Sequence, residues 1–142
     1  MKISAKAEYA CIAMLELAAN YEGGELVRIR SIAGNHGIPS RFLVQILLQL
    51  KNAGLVASTR GASGGYKLLK APEDINLSEV IAAIEGPLGR DQTPMTADSA
   101  AAQALLDICN EVADKQREML EAVTISDLQD RVRQAPSDMY YI

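Results

Sequence analysis

The chain has 142 residues, 49% of them hydrophobic, enough for one compact core with an appended helical element but not for two large independent domains. The net charge of −4 is unevenly divided: residues 1–70 carry nine Lys/Arg and four Asp/Glu, whereas residues 71–142 carry five and fourteen. The basic first part favours contact with a polyanion such as nucleic acid, and the acidic second part is expected to lie away from it, or simply to be soluble.

The N-terminal segment is not expected to direct secretion, because Glu8 and Glu16 interrupt its apolar residues and no cleavage-like region follows. No run approaches the roughly 18 uninterrupted apolar residues that span a bilayer. The sequence therefore predicts a cytoplasmic protein with no membrane partner. In a reducing compartment, Cys11 and Cys109 are not expected to form a structural disulfide.

Residues 4–20 are predicted to form a helix capped by Ser4. Its apolar side chains cover more than one face: Tyr9, Ala10, Ile12, Ala13, Met14, Leu17 and Ala18. Such a helix is buried on several sides, so we expect it to pack on the helices that follow and partly against a partner subunit.

Two helices joined by a short turn are predicted next, over residues 27–36 and 40–51. Gly37 suits the left-handed backbone that such a turn often needs, Ser40 after Pro39 is expected to cap the second helix, and Gly54 is a stop signal. Apolar residues of the second helix recur at i, i+3, i+4 and i+7 and face a core: Leu43, Ile46, Leu47 and Leu50. The other positions carry hydrogen-bonding or cationic groups, as in a helix-turn-helix recognition helix: Ser40, Arg41, Gln45, Gln49 and Lys51.

Short strands over residues 55–58 and 66–69, joined by a glycine-rich loop, are predicted to form a hairpin. Arg60 at the base of this loop is placed to enter a narrow minor groove, and Gly61, Gly64 and Gly65 permit close approach of another backbone. Alternatively, the glycines only form the hairpin turn and Arg60 is a solvated surface charge. Directly after a helix-turn-helix, the sequence favours a DNA-binding wing.

The second half is predicted to be helical around one loop. Asn76 and Glu79 form a capping-box pattern before a short helix that ends at Gly86, and residues 88–98 lack periodicity. A long helix over residues 99–123 carries apolar groups three and four apart, at Leu105, Ile108, Cys109, Val112, Met119, Leu120 and Val123. We interpret this seam as a dimerisation surface rather than core packing. Thr124 and Asp127 suggest another capping box for a final helix to residue 132.

Three segments together resemble one protein family. The run FLVQILLQLKNAGLVASTRGASGGYKL resembles the signature of the bacterial winged-helix regulators that include IscR, NsrR and CymR, as do MKISAKAEYACIAMLELA and INLSEVIAAIEGPL. The resemblance covers residues 1–88 continuously. Together with the element pattern, it predicts a mainly α fold with a small β-hairpin, with a winged helix-turn-helix domain at 1–86, a loop at 87–98, dimerisation helices at 99–135 and a tail at 136–142. It also implies a dimeric transcriptional regulator that binds double-stranded DNA at a pseudo-palindromic operator.

Within that expectation, side chains are assigned to two kinds of DNA contact. Base-edge contacts are expected from Arg41 and Gln45, with Ser40 as a further candidate. Phosphate contacts are expected from other cations, namely Lys2, Arg28, Arg30, Lys51 and Lys67. Val44 stands where the family commonly has Glu, so the family's DNA sequence preference cannot be carried over.

The resemblance also raises the question of a cofactor. Many members similar to IscR or NsrR bind an iron–sulfur cluster through three cysteines after the Glu-Gly-Pro segment, but residues 86–109 here contain one cysteine. We therefore predict no cofactor or metal, as in the cluster-free members of which CymR is the type. His36 is the only histidine and no catalytic arrangement is evident, so the sequence does not predict an enzyme.

Two features bear on regulation. Cys109, between Asp107 and Glu111 on an apolar stripe, is expected to be an inert buried thiol, whereas Cys11 leaves a thiol-redox response or a small-molecule effector open as alternatives.

The ending PSDMYYI resembles that of CymR, and it also looks like the tail by which serine acetyltransferase docks in cysteine synthase. Its last residues, Met139, Tyr140, Tyr141 and Ile142, would then bind cysteine synthase in a repressor of cysteine metabolism; alternatively they fold back onto the dimer helices.

Overall fold

A computed structural model describes residues 2–86 and 99–135. Within these ranges the chain forms α1 (Ala5–Ala19), α2 (Ile29–His36), α3 (Ser40–Asn52), β1 (Val56–Thr59), β2 (Gly65–Leu68), a 3-10 turn (Pro72–Asp74), α4 (Leu77–Glu85), α5 (Ala100–Glu121) and α6 (Ile125–Gln134). The predicted class, mainly α with a small hairpin, is confirmed. The predicted loop at 87–98 and the tail at 136–142 lie outside the described residues.

Helix α1 is the centre of the core. The Ser4 hydroxyl accepts a hydrogen bond from the Ala7 N–H at 3.1 Å and caps the helix, as predicted. The small residues Ala10 and Ala13 are fully buried, and α1 packs against α3, α4 and α6. Small side chains let neighbouring helices approach closely, which explains how one helix contacts several others at once.

The helix-turn-helix begins later than the sequence predicts. Val27 is not helical: its N–H and C=O each pair with Tyr66 of β2, both at 2.8 Å, so this segment extends the wing. Helix α2 therefore starts only at Ile29, because the backbone of Val27 is already committed to extended pairing.

The predicted cap of α3 is wrong. Pro39, with φ −59° and ψ 130°, is the last non-helical residue, and its carbonyl accepts the first bonds of the helix from Phe42 at 3.0 Å and Leu43 at 3.3 Å. Ser40 is the first residue inside the helix and makes no side-chain capping bond. Proline suits this place because it has no N–H to leave unpaired.

The hairpin is shifted by one residue on each strand relative to the prediction. Its antiparallel register pairs Val56 with Leu68 and Thr59 with Gly65. The 3-10 turn after it was not anticipated from the sequence.

Both predicted capping boxes are present. Asn76 Oδ1 accepts from the Glu79 N–H while Glu79 Oε2 accepts from the Asn76 N–H, each at 2.9 Å. Lys70 Nζ donates to Glu79 Oε1 at 2.8 Å. Burial opposes ionisation of Glu79, but the bonds from Lys70 and Asn76 outweigh it and hold the pKa of this carboxyl below its ordinary value.

Helices α5 and α6 behave differently. Within the part of the chain that the structure describes, no residue of α5 is buried, and α5 packs on α4. The chain then returns to the core, because the Leu77 N–H bonds the Val123 carbonyl at 2.9 Å and the Ile125 N–H bonds the Ile75 carbonyl at 2.8 Å. Ile125 is fully buried and α6 contacts α1. None of the helices in the described ranges is both long and apolar enough to cross a membrane.

Candidate nucleic-acid interface

Helix α3 has one buried and one exposed face. The buried face is the predicted stripe, Leu43, Ile46, Leu47 and Leu50, each with no exposed surface. The exposed residues are Ser40, Arg41, Val44, Gln45, Leu48, Lys51 and Asn52. The predicted base-contacting residues Ser40, Arg41 and Gln45 therefore share the solvent side of α3, and packing of the other side fixes their direction.

The turn between α2 and α3 sets the relation of the two helices. Gly37 adopts a left-handed backbone with φ 65°, as predicted, and its N–H bonds the Ala33 carbonyl. The next residue, Ile38, is 2% exposed and its N–H also bonds the Ala33 carbonyl, at 3.2 Å. A left-handed residue followed by a buried anchor leaves α3 little freedom to rotate against α2.

The surroundings of three polar side chains of α3 were not revealed by the sequence: two make contacts, and one is partly buried. The Arg41 guanidinium lies 5.0 Å from the centroid of the Phe42 ring. Lys51 Nζ donates to Ser58 Oγ at 2.8 Å and joins α3 to β1. Gln49 was predicted on the polar face but is half-buried, and its Oε1 is buried without a hydrogen-bond partner among the described residues.

Two wing glycines, Gly64 and Gly65, are required by close contacts within the chain, because a Cβ at either position would clash with the backbone. A Cβ at Gly64 would lie 2.1 Å from the Thr59 carbonyl oxygen, and one at Gly65, which has φ 157°, would lie 2.7 Å from the Val27 carbonyl oxygen. Gly64 is buried, whereas Gly61, with φ 106°, is exposed. Close packing within the wing thus explains Gly64 and Gly65 without any contact to DNA.

The predicted cations surround this surface. Arg28 is the N-cap of α2 and Arg30 lies in its first turn; both are exposed. Because Val27 pairs with Tyr66, the start of α2 lies beside the wing, where Arg60 and Lys67 are also exposed. Lys2 is exposed as well, ahead of α1.

The predicted dimerisation seam on α5 is solvent-exposed in the single chain. Leu105, Ile108 and Val112 are 53%, 56% and 53% exposed, and Met119 is 73% exposed. Leu120 lies to one side of them and is half-buried. Cys109 is exposed in the single chain, and within residues 2–86 and 99–135 no second element covers this side of α5, so its expected burial stays a prediction about the dimer.

Cys11 has the properties of an unreactive thiol. It is partly buried in α1, and burial, together with the nearby charges of Glu8 and Glu85, raises its pKa from the ordinary 9.0 to about 11. The thiolate, which is the form that oxidants attack, is therefore scarce at neutral pH.

The lone histidine has a structural contact that sequence reasoning missed. His36 Nε2 lies 3.1 Å from Glu16 Oε2, and Asn35 Nδ2 donates to Glu16 Oε1 at 2.7 Å. These bonds join the end of α2 to α1 across a separation of about twenty residues, which no local pattern reveals.

A helix-turn-helix with its apolar face in the core, an exposed polar face on the second helix and a glycine-dependent hairpin defines a winged helix-turn-helix protein. The chain belongs to the Rrf2 family of transcriptional regulators: the family model described as an iron-dependent transcriptional regulator matches residues 3–131. It is thus a transcriptional regulator rather than an enzyme.

Relatives and solved structures agree with this assignment. An rrf2-like HTH-type regulator of Rhodobacter capsulatus is 44% identical over 113 residues, covering 78% of this chain and 73% of that protein. The structure of CymR, the global cysteine regulator of B. subtilis, matches with TM-score 0.78 at 34% identity and covers 92% of this chain and 98% of that one. T. potens IscR matches with TM-score 0.74 at 30% identity, covering 99% and 97%.

The family description raises the question of an iron site. The cysteine and histidine residues of this chain do not fit a cysteine-ligated iron–sulfur cluster. The whole chain has two cysteines and one histidine. Cys11 lies on α1 and Cys109 on α5, and in residues 2–86 and 99–135 no three His, Cys, Asp or Glu side chains converge to hold a metal ion. A cluster ordinarily needs several thiolate or imidazole ligands in one place.

Proposed function

We propose that this regulator is a cytoplasmic, homodimeric repressor that binds double-stranded DNA through α3 and the wing. The observation that carries the proposal is the exposed face of α3, where Ser40, Arg41 and Gln45 point away from a fully packed core face. Side chains of these types hydrogen-bond base edges in a major groove. The wing residues Arg60 and Lys67, with Arg28 and Arg30 beside them, supply cations for the flanking phosphates and minor groove.

Dimerisation is proposed through α5. Leu105, Ile108, Val112 and Met119 recur three, four and seven residues apart, and each is more than half exposed. A stripe of this length on a helix with no buried residue of its own is typical of a subunit interface. Cys109 and Leu120 flank the stripe and are proposed to belong to the same interface.

The regulated genes are proposed to be those of cysteine and sulfur metabolism. The support is the similarity to CymR, a protein described as a global cysteine regulator, over nearly the full length of both chains. The sequence of the last residues adds cysteine synthase as a proposed partner, bound by Met139, Tyr140, Tyr141 and Ile142. These four residues lie outside the described part of the chain, so this partner rests on sequence resemblance.

In vitro selection tests the DNA-binding proposal. The full-length chain is incubated with a randomised duplex library, bound DNA is recovered over several rounds, and affinity for the enriched duplex is measured by fluorescence anisotropy at fixed salt. We expect a pseudo-palindrome with half-sites separated by one helical turn, about 34 Å, or a multiple of it. Recovery of no common sequence would overturn the proposal of specific binding.

A further inference from the structure

The exposed face of α3 is not uniformly polar. Val44 and Leu48 are 52% and 56% exposed, and they lie one helical turn apart on the same side as Arg41 and Gln45. The four residues buried on the other face complete the contact with the core, so packing within the chain does not account for the two exposed ones. Apolar side chains at the centre of a polar recognition surface call for a ligand that offers an apolar group.

The charges around this patch point to the kind of ligand. Arg41 and Lys51 are exposed on the same helix, and Arg28, Arg30 and Arg60 are exposed on the neighbouring elements. The first 70 residues carry a net charge of +5. A second copy docked on this face would bring two such cationic surfaces together, whereas a duplex neutralises them.

We propose that Val44 recognises the methyl group of a thymine in the major groove, an inference that rests on the proposed DNA-binding function. The thymine C5-methyl is the apolar group that base pairs present in this groove. Val44 lies in the second turn of α3, within the N-terminal half that recognition helices direct at base edges. Its branch at Cβ restricts χ1, so the methyl groups are held close to the backbone in a fixed direction. Val44 is thus a specificity-determining residue between the hydrogen-bonding side chains of Arg41 and Gln45.

Uracil substitution in the selected operator tests this contact, because deoxyuridine differs from thymidine only by the missing methyl. Each thymine is replaced in turn, first in one half-site and then in both, and affinity is measured for the wild-type chain and for Val44→Ala. At one thymine position we expect wild-type binding to weaken about fourfold per half-site and about sixteenfold for both, the effect of removing one buried methyl group each time. Val44→Ala lacks the two γ-methyl groups, so it should discriminate the thymine operator from the uracil operator less than the wild type does at that position.

Leu69→Ala is the matched control. Leu69 is 53% exposed, but it follows β2 at the end of the hairpin away from the wing loop. This variant should keep the wild-type sensitivity to uracil. The inference is overturned if no thymine shows sensitivity, or if Val44→Ala responds to uracil as the wild type does. Failure of the wild-type chain to select any operator would instead count against the proposed function.

Discussion

Arg60 is the wing residue on which the proposed DNA contact depends. The wing glycines are explained by contacts inside the wing, so they no longer support a DNA contact by themselves. Arg60 is exposed at the start of the loop, and the bridge between Val27 and Tyr66 places it on the element that lies beside the start of α2. A role in binding therefore depends on the guanidinium of Arg60 rather than on the glycines.

Arg60→Ala is expected to weaken operator binding about tenfold, because one guanidinium contact to a groove contributes about 1–2 kcal/mol. The slope of log affinity against log salt should become shallower by about 0.9 if the guanidinium neutralises one phosphate. Anisotropy titrations at several salt concentrations measure both quantities. Arg131→Ala, which removes an exposed arginine from α6 in the acidic half, is the control and should change neither. Unchanged affinity for Arg60→Ala would exclude the wing contact.

The reactivity of the Cys11 thiol tests whether this residue takes part in redox regulation. With a pKa of about 11 rather than 9.0, its thiolate fraction at pH 8 is about 100-fold lower than that of an ordinary cysteine. In a Cys109→Ser variant, where Cys11 is the remaining thiol, iodoacetamide should react about 100-fold more slowly with the native protein than with the chain in denaturant. Mass spectrometry over time measures both rates. Similar rates would restore Cys11 as a candidate sensor.

At the scale of elements, helix α5 exposes an apolar stripe that a partner subunit would bury. Val112 lies in the middle of the exposed stripe and is 53% exposed, so a charge placed there costs little stability in the single chain but would be buried unpaired in a dimer. Val112→Asp is expected to lower the apparent dimer mass to that of a monomer in sedimentation or light scattering at micromolar concentration. Helical content should be unchanged.

Gln103→Asp provides the control for that experiment, because it also places a carboxylate on α5. Gln103 is exposed, and at 100° per residue it lies about 160° around the helix from the centre of the stripe. This variant should keep the mass of the wild-type protein. Equal behaviour of the two variants would show that the stripe is not the subunit interface.

Local sequence patterns predicted an element correctly where the residues that determine its backbone conformation lie within the element itself. The apolar spacing of Leu43, Ile46 and Leu47 gave α3, and the pairs Asn76 with Glu79 and Thr124 with Asp127 gave two helix starts that the structure confirms. The start of α2 was wrong because the pairing of Val27 with Tyr66 joins residues far apart in sequence. Long-range pairing leaves no mark in a local pattern.

The candidate site was predictable to a similar degree. Helical spacing placed Ser40, Arg41 and Gln45 on the solvent side of α3, where the structure also has them. On an amphipathic helix, apolar residues occupy the buried face and polar residues the exposed face. Gln49 was misplaced because its polar character suggested exposure, whereas it is half-buried. Burial depends on the neighbouring elements, and no pattern within α3 contains that information.

For the whole molecule, the division of charge along the chain corresponds to a division in the fold. Residues 1–70, which form α1, the helix-turn-helix and the hairpin, carry a net charge of +5. Residues 71–142, which include α5 and α6, carry a net charge of −9. Helix α6 nevertheless packs on α1, so the acidic half contributes to the core of the basic one. The division of charge therefore corresponds to the proposed DNA-binding surface, whereas the hydrophobic core is built from both halves of the chain.

A regulator that binds cysteine synthase would receive a signal from metabolism through that contact. The proposed tail contact would place Tyr141 and Ile142 in the amino-acid site of cysteine synthase. Because O-acetylserine would use the same site, the substrate should compete with the regulator. A rise in this substrate would then release cysteine synthase from the regulator.

Calorimetry of the full-length chain with purified cysteine synthase is the measurement for this contact. We expect binding that O-acetylserine weakens and that deletion of Tyr141 and Ile142 abolishes. The truncated chain should keep the wild-type affinity for the selected operator, since Ser40, Arg41, Gln45 and Arg60 remain in place, and this separates loss of the tail from loss of the fold. Retained binding of cysteine synthase by the truncated chain would exclude the tail as the contact. Absence of binding by the intact chain would exclude this enzyme as the partner and leave DNA recognition through α3 as it stands.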